Sequence, residues 1–212
     1  AHFDIENAIQ KKLRDQLSLR LDITAAAAFE TGQIKAVPTG TAYLNIATNG
    51  VAGASATANL NVYHVEQIRD YLFSTLTVAP YDGDNYVCVA NTKALRGIKR
   101  DPNWEKWKTY ADAEAKFMSE VGKIESVRFI ESNHNAALSP SLGTNSVLGE
   151  AVFFGDDPVA MATVIEPELR AKEPDDYGRS KGVAWYGVYG FGQVWYDSAN
   201  PGEARVLHLT SL

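Results

Sequence analysis

Apolar residues recur every four positions at the start of the chain: Ile5, Ile9, Leu13, Leu17 and Leu21, with Ala8 and Gln16 beside them. Lys11, Lys12, Arg14 and Asp15 fill the opposite side. That spacing predicts one helix over residues 4–29. Asp4 is placed to cap it, Ala25 to Ala28 extend it past Asp22, and Gly32 ends it. At about 1.5 Å per residue the helix would be roughly 40 Å long, a beam suited to lie across the face of a sheet. A proline in place of Leu13 is expected to break it and to cost the chain its soluble fold.

Residues 31–61 change character, with Thr, Ala, Gly and Asn replacing the charges (Ala36-Val37-Pro38-Thr39-Gly40, then Asn49-Gly50-Val51-Ala52-Gly53). The stretch reads as an exposed, partly strand-forming excursion or a loop, with Asn49-Gly50 as a hairpin turn. Val65, Ile68, Leu72 and Leu76 then mark a helix over 63–77, closed by Pro80. The turn Tyr81-Asp82-Gly83-Asp84-Asn85 leads into a buried-type strand at Tyr86–Ala90, and a short helical turn is expected at Thr92–Ile98. Asp101-Pro102-Asn103 opens a helix to about Ser119.

Further along, residues 124–131 read as one strand, 147–154 as another, and Asp156-Asp157-Pro158 as the cap of a short helix. A strand at Thr163–Glu166 gives way to an acidic loop through Pro174. The aromatic run Val183–Tyr196 and the segment Ala204–Leu209, separated by Ser198-Ala199-Asn200-Pro201-Gly202, read as an antiparallel hairpin. The sum is an α+β chain without internal repeats.

The bulk properties narrow the function. The chain has 212 residues, 45% hydrophobic and 22% charged, with a formal net charge of -6. This is the balance of a globular domain, and an acidic average argues against a nucleic-acid grip. It does not exclude a container for nucleic acid, a role for which low affinity is useful. Cys88 is the single cysteine, so no internal disulfide forms. No apolar run is long enough to span a bilayer, and Ala1-His2-Phe3-Asp4 does not start a signal peptide. The absence of an initiator Met points to removal of something upstream.

Candidate chemistry is sparse. His2, His64, His134 and His208 lie far apart, outside any metal-ligand spacing, and read as surface or interface residues. Cys88 sits in an apolar strand and reads as a small hydrophobe. Asp82-Gly83-Asp84 and Glu173-Pro174-Asp175-Asp176 lack the alternating oxygen ligands of a calcium loop. Gly187, Gly190 and Gly192 lie inside an aromatic strand, where glycine marks a bulge or close backbone approach rather than a phosphate loop. Trp104 and Trp107, three apart, read as core or subunit contacts. The expectation is no catalytic residue, no cofactor, no metal, and a protein that is not an enzyme.

Three strings carry a resemblance. Tyr86-Val87-Cys88-Val89-Ala90 is followed by Leu95-Arg96 and Asp101-Pro102-Asn103-Trp104. Gly122-Lys123-Ile124-Glu125-Ser126-Val127-Arg128-Phe129-Ile130-Glu131-Ser132 comes next, and Tyr177-Gly178-Arg179-Ser180-Lys181-Gly182-Val183-Ala184-Trp185-Tyr186 near the end. In this order, behind a long helix, they resemble the major capsid (coat) proteins of tailed bacteriophages with the HK97-like fold, in the short-tailed-phage branch. The resemblance runs from about residue 5 to the C-terminus. It implies an α+β HK97-like capsid fold: a long spine helix packed on a peripheral β-sheet, plus a central mixed α/β axial domain. The implied division is 1–30 for the spine helix, 31–165 for the axial domain with excursions at 31–61 and 132–146, and 166–212 for C-terminal strands completing both sheets. The two excursions are the expected contacts at symmetry axes.

The same resemblance implies a virion protein, assembled in the host cytoplasm as hexamers and pentamers into an icosahedral shell. The shell would enclose double-stranded DNA without specific binding, with scaffolding, portal and decoration proteins as partners and no membrane. By the same resemblance, an N-terminal arm and extended loop would be expected ahead of the spine helix, and the sequence from Ala1 is expected to lack them. An encapsulin-like nanocompartment shell is the alternative, with a carbohydrate-binding or hydrolase module behind it.

Overall fold

The computed structural model describes residues 5–104, 120–132, 147–173, 177, 182–195 and 200–212. Helix α1 (Ile5–Glu30) runs 26 residues, as the four-residue spacing predicts. The position of Asp4 lies outside the described residues. After α1 the chain enters β1 (Ile34–Pro38) and turns back into β2 (Leu44–Ala47). It continues through α2 (Val62–Asp70), a π-helical turn at Tyr71–Thr75, β3 (Tyr86–Ala90) and α3 (Leu95–Lys99). Then follow β4 (Glu120–Ile124), β5 (Val127–Glu131), β6 (Gly149–Phe154), β7 (Val159–Ala171), β8 (Val183–Gln193) and β9 (Val206–Ser211). Residues 102–104 are helical, and the rest of the helix expected to Ser119 lies outside the described residues.

Seven strands form one mixed sheet in the order β2-β1-β9-β6-β3-β5-β4, and β7 and β8 form a separate ribbon. Strand alternation divides the large sheet into two faces. One carries Ile34, Ala36, Cys88, Phe129, Phe153, Leu207 and Leu209, packed against Val65, Ile68 and Leu72 of the α2 segment and Leu95 and Ile98 of α3. Trp104 closes that core, meeting the Phe129 ring edge-on at 5.6 Å. The other face carries Val87, Val152, Phe154 and Val206 and is covered by Phe29 near the end of α1. With both faces covered, β6 is buried at every position, and its run of apolar residues follows from that.

The ribbon obeys different rules. β8 alternates half-buried and exposed residues along its whole length, because among the described residues only one face has a partner, α1. Register shifts interrupt β7 between Thr163 and Glu168. There Pro167 lies so close to Gly187 that a Cβ on the glycine would sit 2.9 Å from the Pro167 Cα. The close-approach reading therefore holds for Gly187, while Gly190 and Gly192 face open space.

Several expectations are corrected. Residues 31–61 are not simply an exposed excursion, since Ile34, Ala36 and Val37 are buried in β1. The turn between β1 and β2 is at 39–43, where the Thr39 amide donates to the Tyr43 carbonyl. Asn49-Gly50 instead follows β2, and the Gly50 amide donates back to Gln33. The single strand at 124–131 is a hairpin, β4 against β5, turning at Glu125 and Ser126. No helix follows Asp156-Asp157-Pro158; β7 begins at once. The C-terminal hairpin does not form either: β8 pairs with β7, and β9 enters the large sheet between β1 and β6. The expected division after residue 165 falls inside β7.

Two predictions follow from packing and backbone. Most side chains of α1 between Asn7 and Arg20 are exposed, so the structure moves the damage expected from Leu13→Pro. It should unravel that half of the helix while the sheet stays folded, whereas Phe153→Ala should cost about 3–5 kcal/mol. Urea unfolding of both variants, followed by tryptophan fluorescence, checks the contrast. Glu125 and Ser126 have φ of 47° and 58°, the left-handed pair that a two-residue hairpin requires. Ser126→Gly should therefore stabilise the chain by up to about 1 kcal/mol, read as a raised urea midpoint.

Candidate assembly surfaces

The charged and apolar groups left without partners define what this fold offers to others. Along α1, Leu13, Leu17 and Leu21 are half-buried, while Ile9 and Leu19 are 50% and 48% exposed. Ile9 thus carries the apolar stripe past the ribbon, while Leu19 stands on another side of the helix. A shallow cleft between helix and ribbon is lined by Arg20, Thr24, Trp185 and Tyr189. On the ribbon, Met161, Val164, Tyr186 and Val188 are exposed, Val164 at 79%, and Arg170 stacks over the Tyr186 ring at 4.6 Å. The tip of the β1–β2 turn adds Tyr43, 74% exposed. Rod, ribbon and turn therefore each present exposed apolar side chains.

What fixes these surfaces relative to the core is the C-terminal end of α1. A helix leaves its last carbonyls without intrahelical donors. Here Gln193, the last residue of β8, donates from Nε2 to the carbonyls of Ala28 at 2.8 Å and Phe29 at 3.2 Å. Lys35 of β1 donates from Nζ to the Glu30 carbonyl at 2.8 Å. One side chain from each sheet thus ends on the same helical turn. Sequence reasoning missed both; the only signal was the position of Lys35 just beyond the Gly32 stop.

The residues read as candidate chemistry fall as follows. His64 and His208 are buried rather than at the surface; His2 and His134 lie outside the described residues. His64 closes the N-terminus of α2 with Asn61: the His64 amide donates to Asn61 Oδ1, and the Asn61 amide donates to His64 Nδ1. Burial lowers the His64 pKa. Cys88 is fully buried in β3, and desolvation pushes its thiol well up, the opposite of a nucleophile's requirement. Asp82 and Asn85 close an ordinary turn, and Asp82 pairs with Arg128 at 2.8 Å. Most of the loop beyond Glu173 lies outside the described residues. Trp104 is core, and Trp107 lies outside. Among the described residues, no three His, Cys, Asp or Glu side chains gather as a metal site, and no helix is long and apolar enough to cross a membrane.

No family model matches this sequence, and no curated protein matches it either. Solved structures do. The chain superposes over 99% of its length on 69% of a chain from the head of Helicobacter pylori bacteriophage KHP40, with a TM-score of 0.69 and 14% identity. It matches over 100% of its length 68% of a chain from the capsid of Ralstonia phage GP4, with a TM-score of 0.70 and 18% identity. The same holds for the capsid asymmetric unit of cyanophage Pam1, with 70% of that chain covered, a TM-score of 0.66 and 15% identity. What is shared at these identities is the fold. This is the HK97-like capsid fold, α+β, with its long helix laid along a narrow sheet.

The helix end is open to measurement. Gln193→Ala should strip the Ala28 and Phe29 carbonyls of their donor and cost about 1 kcal/mol. Amide hydrogen exchange should quicken in the last turn of α1 and stay unchanged in β3.

Proposed function

We propose that this chain is the repeating unit of a phage head, a major capsid protein and not an enzyme. The observation that carries the reading is the fold, which phage head and capsid chains share over 99–100% of this chain and 68–70% of their own length. Its shape fits the task. A closed shell needs one rigid tile whose edges complement other copies, and the stiff α1 with its ribbon supplies an edge with apolar residues already at the surface. In this reading α1 and β7–β8 form the peripheral domain, and the seven-stranded sheet with α2 and α3 forms the axial domain.

Hexamers and pentamers closing an icosahedral shell around double-stranded DNA are the arrangement that follows, completed in the host cytoplasm with scaffolding, portal and decoration proteins. The net charge of -6 supports a wall that encloses DNA without gripping it. The β1–β2 turn with Tyr43, and the 132–146 segment, are proposed to meet neighbours at the symmetry axes.

Electron microscopy of the protein expressed with any segments that its coding region adds tests this. Round shells are expected, and monodisperse monomers under all assembly conditions overturn the reading. Shells packed with a protein cargo would favour a nanocompartment instead. A double variant, Ile9→Glu with Leu19→Glu, should keep the wild-type melting temperature within about 2 °C, since surface changes of this kind cost little, yet reduce shell yield at least tenfold.

A further inference from the structure

Three adjacent strands of the large sheet, β1, β9 and β6, each carry one ionisable side chain on the face toward α1. Lys35 of β1 and His208 of β9 are register partners, and Glu150 of β6 lies one strand further. Residue parity puts all three on the same side: their neighbours Ile34, Ala36, Ala151, Phe153, Leu207 and Leu209 all face the α2 core. His208 and Glu150 are both nearly sealed from solvent. His208 Nε2 stands 3.6 Å from Glu150 Oε1, beyond hydrogen-bonding reach, and makes no hydrogen bond. Lys35, between this group and the helix, is the residue that holds the Glu30 carbonyl.

We propose that Lys35, His208 and Glu150 form a proton-operated latch on the root of α1: a proton on His208 sets a second cation beside Lys35 in a dry site, and the site opens, withdrawing Lys35 from the helix end. The charged groups that face His208 are Lys35 from β1 and Glu150 from β6, with Glu30 of α1 beyond Lys35. Burial, and then Lys35, hold the imidazole down at about 3, against an ordinary 6.5. The closed latch therefore refuses a proton that the opened one accepts. Its advantage is complete above pH 6.5 and shrinks as pH falls toward 3, by up to about tenfold in the opening equilibrium per pH unit. The cap on the other side of the helix end, Gln193, carries no titratable group, so acid loosens one tether and leaves the other.

Amide hydrogen exchange of the full chain between pH 7 and 4, normalised to intrinsic rates, reads this directly. Peptides covering 26–36 should lose roughly 10- to 100-fold of protection between pH 6.5 and 4.5, while peptides in β3 keep theirs. The pH response should vanish in His208→Gln and persist in Glu150→Gln. The proposal is overturned if the 26–36 protection does not change with pH in the wild type. It is equally overturned if the response survives in His208→Gln, which would make another group the titrating one. Should His208→Gln fail to fold, His208→Asn takes its place with the same expected loss of the pH response.

Discussion

An interior strand of the seven-stranded sheet, third in its order, is the one that arrives last in the chain. β9 pairs in parallel with β1 and antiparallel with β6, and β1 reaches the sheet through β9 alone. Leu207 and Leu209 feed the core under α2, while Val206 feeds the small cluster under Phe29. Because β1 carries Lys35, the placement of α1 over the sheet passes through β9 as well. A six-residue segment therefore ties the helix to the body, and neither half of the sheet is complete without it.

This dependence also explains what could be seen from sequence and what could not. α1, α2, β3 and β6 announce themselves through local periodicity or unbroken apolar runs, which is information carried within a dozen residues. β8 and β9 look like a hairpin because a turn-rich segment lies between them. Yet their patterns differ in the way that separates them: Trp185 to Gln193 alternates, as a strand with one covered face must, while Val206 to Leu209 is buried throughout, as a strand covered on both faces must be. Strand β1 was obscured by Lys35 and Pro38, and the β4–β5 turn by the lack of any Gly or Asn at Glu125 and Ser126. The burial of His208 is a property of its central position, and nothing in its spacing to other histidines encodes that.

The surfaces were legible in part. The stripe on α1 is plain in the sequence, but which of its residues the ribbon covers is decided by where β8 lies. The half of α1 that the ribbon and sheet leave bare bears Ile9 and Leu19, a pattern with no purpose in an isolated chain. On the capsid reading its purpose is a neighbouring copy, and the apolar residues on the ribbon extend the same edge.

Capped at its root and flanked by the ribbon, α1 acts together with that ribbon as a pointer. Gln193 and Lys35 clamp the final turn, and 26 residues reach roughly 39 Å back from it. A tilt of about 5° at the clamp would carry the far tip by roughly 3 Å, nearly the width of a methyl group, over that reach. An angular difference too small to disturb any hydrogen bond in the sheet would thus be delivered at the tip as a whole atomic layer, enough for one side chain to meet a different neighbour.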